Sequence, residues 1–221
     1  MDKKVLLETF YEQVANFLCD YGFKLNKSQS QAKRKAKYGF DTLFFDVNDM
    51  VYDYSIITGL RIRNDDIQSI RGEIDPRYKN RKEAPTVIET VFSVLERYDR
   101  TDLDYEIKNP GNLVNEKTLQ PYLVAFKSFM MEIGFDFFQS FKSIDDFDNW
   151  FNEPVLSGSY DFERGSILNS SISGIIAAKL SNNPRYEEIC SMWIEGIPSN
   201  AGTTLSELTT TKQYLDTLTS N

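Results

Sequence analysis

The sequence predicts an α+β fold: an antiparallel sheet preceded by an N-terminal helix and followed by a mainly helical C-terminal half. Three observations predict it. Apolar residues recur every three or four positions up to Tyr21, the period drops to two between Phe40 and Arg63, and the helical period dominates again from about residue 100.

The first stripe is Val5, Leu6, Phe10, Val14, Phe17, Leu18 and Tyr21, which predicts a helix over residues 3–21 with Gly22 as its stop. Residues 23–37 then read as a first strand and Phe40 to Val47 as a second, joined near Tyr38-Gly39. Asn48-Asp49 turns the chain into a third strand, where Tyr54, Ile56, Thr58, Leu60 and Ile62 alternate with more polar neighbours. Asp65-Asp66 reads as a turn. EIDPRYKNRKEAP, ending at Pro85, has turn residues and no period, and reads as a loop. Thr86 with Glu89 predicts a capping box for a helix carrying Ile88, Val91, Phe92 and Leu95 and ending near Asp99.

Lys108 to Asn112 is a turn-rich connector, which divides the chain into an α+β portion over 1–107 and a mainly helical portion over 108–221, either as two domains or as parts of one. Beyond it, Leu119, Leu123, Phe126, Met130 and Ile133 form one helical stripe. Ser143 with Asp146 caps a helix bearing Phe147, Trp150 and Phe151, whose rings are expected to face the core. Leu168 to Leu180, a helix begun by Asn183-Pro184 and carrying Ile189 and Trp193, and a threonine-rich helix over 206–218 complete the series. Phe129 to Phe137 reads FMMEIGFDF, like FLCDYGFKL from Phe17, and Gly134 is read as a second helix stop.

Composition limits the chemistry. The 221 residues carry 33 acidic and 25 basic side chains and no histidine, which removes the commonest general base and metal ligand together. A net charge of -8 opposes long-range attraction to nucleic acid. Cys19 and Cys190, each among apolar neighbours, read as reduced, buried thiols, and the expected setting is cytoplasmic. The amino terminus lacks the unbroken apolar run of a secretory signal, and no stretch is apolar for long enough to predict a membrane span.

Against this acidic background, SQSQAKRKAKYGFDTLFFD stands out. Lys24, Lys27, Lys33, Arg34, Lys35 and Lys37 precede Asp41, Asp46, Asp49 and Asp53, so adjacent strands carry opposite charge. One reading is a solvated edge strand whose lysines face acids across the sheet. The other is a basic sheet face, extended by Arg61 and Arg63, that receives an anion or an acidic partner. The basic middle of the later loop, with Arg77 and Lys79 around Tyr78, adds to the candidate contacts.

Catalytic motifs are sparse. Asp145, Asp146 and Asp148 suggest a Mg²⁺ or Ca²⁺ site, but a calcium loop starting at Asp145 would have Trp150 where it needs Gly and Leu156 where it needs Glu, so a helix N-terminus accounts for them better. Neither a phosphate loop nor a nucleophile elbow is present, and no catalytic residue, metal or cofactor is expected.

The helix, Gly22-Phe23-Lys24-Leu25, Arg34-Lys35, Gly39-Phe40 and Arg61-Ile62-Arg63 together resemble small uncharacterised bacterial α+β domains whose genes occur in toxin and immunity settings. That resemblance implies a non-enzymatic, cytoplasmic protein that works by binding another protein. The expected partner is thus a protein, with nucleic acid and membrane disfavoured. The alternative is an enzyme that acts on nucleic acid or phosphate esters through carboxylates and Mg²⁺.

Overall fold

The structure, a computed structural model, describes residues 3–100, 111–162, 167–198 and 202–218. The predicted boundary between residues 107 and 108 lies outside them. The chain forms two compact units, Met1–Arg63 with Val87–Ser140 and Asn64–Thr86 with Phe141–Asn221. The α+β class is as expected: an N-terminal helix, an antiparallel sheet and a mostly helical C-terminal half.

The first unit opens with α1, Lys3–Cys19. Its end is a left-handed glycine stop: Gly22 has φ 79°, its N–H donates to Cys19 O, and the Phe23 N–H donates to Leu18 O. The sheet follows in the order β1 (Lys24–Asn26), β2 (Gln31–Ala36), β3 (Gly39–Asp49), β4 (Tyr54–Asn64) and β5 (Val87–Thr90), with β6 (Gly111–Leu113) also paired to β4. The single strand expected over residues 23–37 is therefore two. Asn26 caps a 3-10 turn over Lys27–Gln29, and Ser30, at φ 50°, reverses the chain so that β1 pairs back on β2.

Two further expectations are corrected here. Residues 87–90 form β5 instead of a first helical turn, because Val87 and Glu89 continue the ladder opposite Ile62 and Leu60. The capping box belongs to Thr90 and Ser93, at the start of α4, Val91–Arg97. Gly134 does not stop a helix either. α5 (Glu116–Phe129) passes through a π turn over Met130–Gly134 into α6 (Phe135–Gln139), and Gly134 keeps helical angles.

The inner sheet face packs on α1 and α5 through aromatic side chains. Phe10 meets Phe45 edge-on at 5.3 Å and Tyr122 at 5.9 Å, and Phe45 meets Phe126 at 5.8 Å. Tyr122 is fully buried, which pushes its hydroxyl pKa up to about 12, and that hydroxyl shares a 2.6 Å hydrogen bond with Thr58. Because the strand period is two, burying Tyr54, Ile56, Thr58, Leu60 and Ile62 on this face sends Ser55, Ile57, Arg61 and Arg63 to the other.

The second unit contains α2 (Asp65–Ile74) and the short α3 (Pro76–Lys79), followed in sequence by α7 (Ile144–Leu156), α8 (Ile167–Leu180), α9 (Tyr186–Gly196) and α10 (Gly202–Thr217). The expected turn at Asp65-Asp66 is the first turn of α2, whose cap is Asn64 accepting from Ile67 N, so the two acids sit at the positive end of the helix dipole. Phe147 and Phe151 are buried as expected, and Trp150 is partly exposed. In α10, Thr209, Thr210 and Thr211 each donate to the carbonyl four residues back, which ties up their hydroxyls within the helix.

Candidate interaction surface

The outer face of the sheet gathers the basic residues of the first unit. β2 pairs with β3 so that Lys33 opposes Thr42, Arg34 opposes Asp41 and Lys35 opposes Phe40. Arg34 thus points inward with Ala32, while Lys33 and Lys35 point outward. The reading in which basic residues of this strand face acids holds for Arg34, which pairs with Asp41 at 2.8 Å; directly across the same ladder, Lys33 and Lys35 stand opposite Thr42 and Phe40. On β1, Lys24 stands directly opposite Lys33. Five cations therefore share the outer face: Lys24, Lys33, Lys35, Arg61 and Arg63.

Two phenylalanines organise them. The Lys33 ammonium lies 4.2 Å from the centroid of the Phe40 ring, with the Arg63 guanidinium 5.8 Å from it. Arg61 lies over Phe44 at 4.0 Å. The Phe44 ring in turn crosses Gly59, where an added Cβ would come within 2.1 Å of the ring and within 2.8 Å of the Glu89 backbone carbonyl, which cannot swing aside, so this strand position favours glycine. Partial burial lowers the pKa of Arg61, Asp46 opposes that shift, and the Arg61 Nε has no hydrogen-bond partner. The surface can supply several cationic donors held in place by rings.

Arg77 and Lys79 fall in the second unit, on α3, whereas Lys33, Lys35, Arg61 and Arg63 fall in the first. Arg77 is already paired, to Asp75 and to Glu207 at 2.8 Å each, which raises its pKa. Lys79 is exposed. Of the residues singled out in the sequence, the structure thus brings four together. Phe40 and Phe44 belong with those four and were missed, although the alternation of β3 signals them; Lys24, named in the basic run, joins the group through the pairing of β1, which becomes visible only once residues 23–37 are split into two strands.

The acidic cluster has other tasks. Asp146 accepts the backbone N–H groups of Lys142 and Ser143 at 2.7 Å; burial opposes ionisation, but these bonds hold the carboxyl below its ordinary range. Asp148 is buried and accepts from Asn152, Ser181 and Asn183, and Asn152 in turn accepts from the Trp193 indole at 2.8 Å. Among the described residues no group of three acidic, histidine or cysteine side chains could hold a metal ion. Cys190 is buried, which pushes its thiol up to about 11, whereas Cys19 is exposed, contrary to expectation, because it lies at the solvent side of the last turn of α1. No helix among the described residues is long and apolar enough to cross a membrane.

Comparison with protein families, with curated proteins and with solved structures finds no match to this chain.

Proposed function

We propose that this protein is a non-enzymatic protein-binding module, immunity-like in its manner of action, whose outer sheet face receives an acidic segment of a partner protein. The observation that carries this reading is the gathering of Lys24, Lys33, Lys35, Arg61 and Arg63 on one face around Phe40 and Phe44. A nucleic-acid platform needs ring faces open to stacking bases. Here cations lie over both rings, and the net charge of -8 opposes a polyanion at long range. A carboxylate-rich peptide needs only the cations.

The test is co-purification of the tagged protein from its native cell, with nuclease treatment. One protein partner is expected to persist, and its capture to fall at least about tenfold when Lys33 and Lys35 are changed to Glu but not when Lys117 and Lys142 are. Capture indifferent to the sheet lysines overturns the proposal. So does tight, salt-sensitive oligonucleotide binding that is lost when Lys33, Lys35, Arg61 and Arg63 become Ala.

A further inference from the structure

The second unit holds a cleft of about 170 Å³ between α2, α3, α8 and α10, with Arg71 in its wall. Arg71 is 3% exposed, and its hydrogen-bond acceptors are neutral: Nη1 donates to Asn169 Oδ1 and Nη2 to the Tyr78 hydroxyl at 2.9 Å. Its guanidinium stacks on the Tyr78 ring at 3.9 Å, and its buried Nε has no partner at all. Two carboxylates line the same cleft, Asp75 and Glu207, but both are held by Arg77 and act on Arg71 only through space. A guanidinium taken out of water with no carboxylate bonded to it is costly, and an orphaned N–H adds to that cost. From this geometry we infer that the cleft binds a small, singly charged organic carboxylate, with Arg71 as its anchor.

Charge and donor count select the ligand. Arg77 sits between Asp75 and Glu207, and with Arg71 the cleft holds two cations and two anions; the two carboxylates would repel a dianion such as phosphate more strongly than a monoanion bound at Arg71. The hydroxyls of Thr210 and Thr211 donate to their own helix carbonyls at 2.9 and 2.8 Å, so they turn only lone pairs to a ligand. Arg77 also lines the cleft, but its Nε and Nη2 donate to Asp75 and Glu207, which leaves the Arg71 guanidinium, the Tyr78 hydroxyl and Ser206 as the donors best placed for a ligand, a set suited to two carboxylate oxygens. Ile74 and Ile172 give the cleft an apolar wall, which favours a ligand with a hydrocarbon body. This site is independent of the sheet face and stands whether or not that reading does.

The experiment is a calorimetric and thermal-shift titration of the full chain with acetate, butyrate, hexanoate and benzoate, beside inorganic phosphate and chloride at matched ionic strength. Saturable binding of the longer carboxylates and none of phosphate is expected. Affinity should drop at least about tenfold in Arg71→Met, with loss of the charged anchor. Because that variant alters a buried position, Thr210→Phe serves as a second one that fills the cleft from an exposed helix position and leaves Arg71 intact; it too should abolish binding. No saturable binding by any carboxylate, equal or tighter binding of phosphate, or unchanged affinity in a folded Thr210→Phe variant overturns the inference.

Discussion

Two arginines, one in each unit, Arg34 partly and Arg71 almost wholly out of water, are answered in opposite ways. Arg34, on β2, donates through Nε to Asp41 at 2.8 Å and lies over the rings of Phe23 and Phe138 at 4.7 and 5.5 Å. Asp41 is 1% exposed and also accepts the Tyr38 hydroxyl at 2.7 Å. Arg71 has a ring beneath it as well, but an amide and a phenol where Arg34 has a carboxylate. The first arrangement is closed and therefore structural, since every charge meets its partner within the fold. The second keeps a charge that the fold itself does not neutralise by direct contact, which marks a place for something from outside.

Breaking the closed pair should have the largest effect. Asp41→Ala removes the carboxylate to which the Arg34 guanidinium and the Tyr38 phenol both donate, leaving them the weaker carbonyls of Tyr21 and Phe138, and with the Arg34 side chain 21% exposed, a loss of about 3 kcal/mol at pH 7 is expected by urea denaturation. Arg71→Met removes a charge that has no bonded counter-charge, so its cost should stay within about 1 kcal/mol. If the two variants cost the same, the distinction between a closed and an open arginine is lost.

Carboxylates sharpen the same contrast by their titration. Burial raises the Asp41 pKa, although Tyr38 and Arg34 work against it. Asp75, partly exposed, is lowered chiefly by its hydrogen bond to Arg77. The signs follow from linkage: a raised carboxyl holds its proton more firmly folded than unfolded, so its contribution is greatest below the ordinary aspartate value and declines as pH rises through the raised one. A lowered carboxyl contributes above the ordinary value and loses that contribution as pH falls through its lowered one. Carbon-detected NMR of the carboxyl resonances should place the midpoint of Asp41 above the aspartate reference of 3.8 and that of Asp75 below it. The reverse order would mean that the Arg34 pair outweighs burial.

The fold was legible in the sequence wherever a long, regular pattern met few competitors, and the misses have physical causes. The helical stripe of α1 and the alternation of β4 left one choice each. Residues 23–37 misled because Asn26 and Ser30 reverse the chain through side-chain capping and a left-handed residue, neither of which alters the apolar period. Thr86 offered a plausible cap, but it is fully buried, accepts from Asn64 N and Gln68 Nε2, and leaves capping to Thr90. The outer-face cations Lys33, Lys35, Arg61 and Arg63 were legible because alternation alone assigns them a side. The Arg71 cleft was not, since Tyr78, Asn169 and Ser206 come from three distant segments and share no local spacing.

The smallest expected effect bears on the sheet face. Lys24 opposes Lys33 in the β1–β2 ladder, and like charges directly across an antiparallel pair destabilise it. Lys24→Glu replaces that repulsion with attraction on a half-exposed surface, so a gain of about 0.5 kcal/mol is expected in thermal or urea unfolding. The same change reverses one of the charges that an acidic partner would meet, so capture of that partner should weaken while the fold strengthens. This opposition separates two accounts of the basic run. If its lysines serve the fold alone, Lys24→Glu raises stability at no cost to binding; if they serve a partner, the repulsion is the residue of a surface shaped for what it holds, and the variant trades one for the other. A gain in stability with capture unchanged would remove β1 from the binding surface, whereas a loss of stability would mean that Lys24 has an acidic neighbour stronger than its opposition to Lys33.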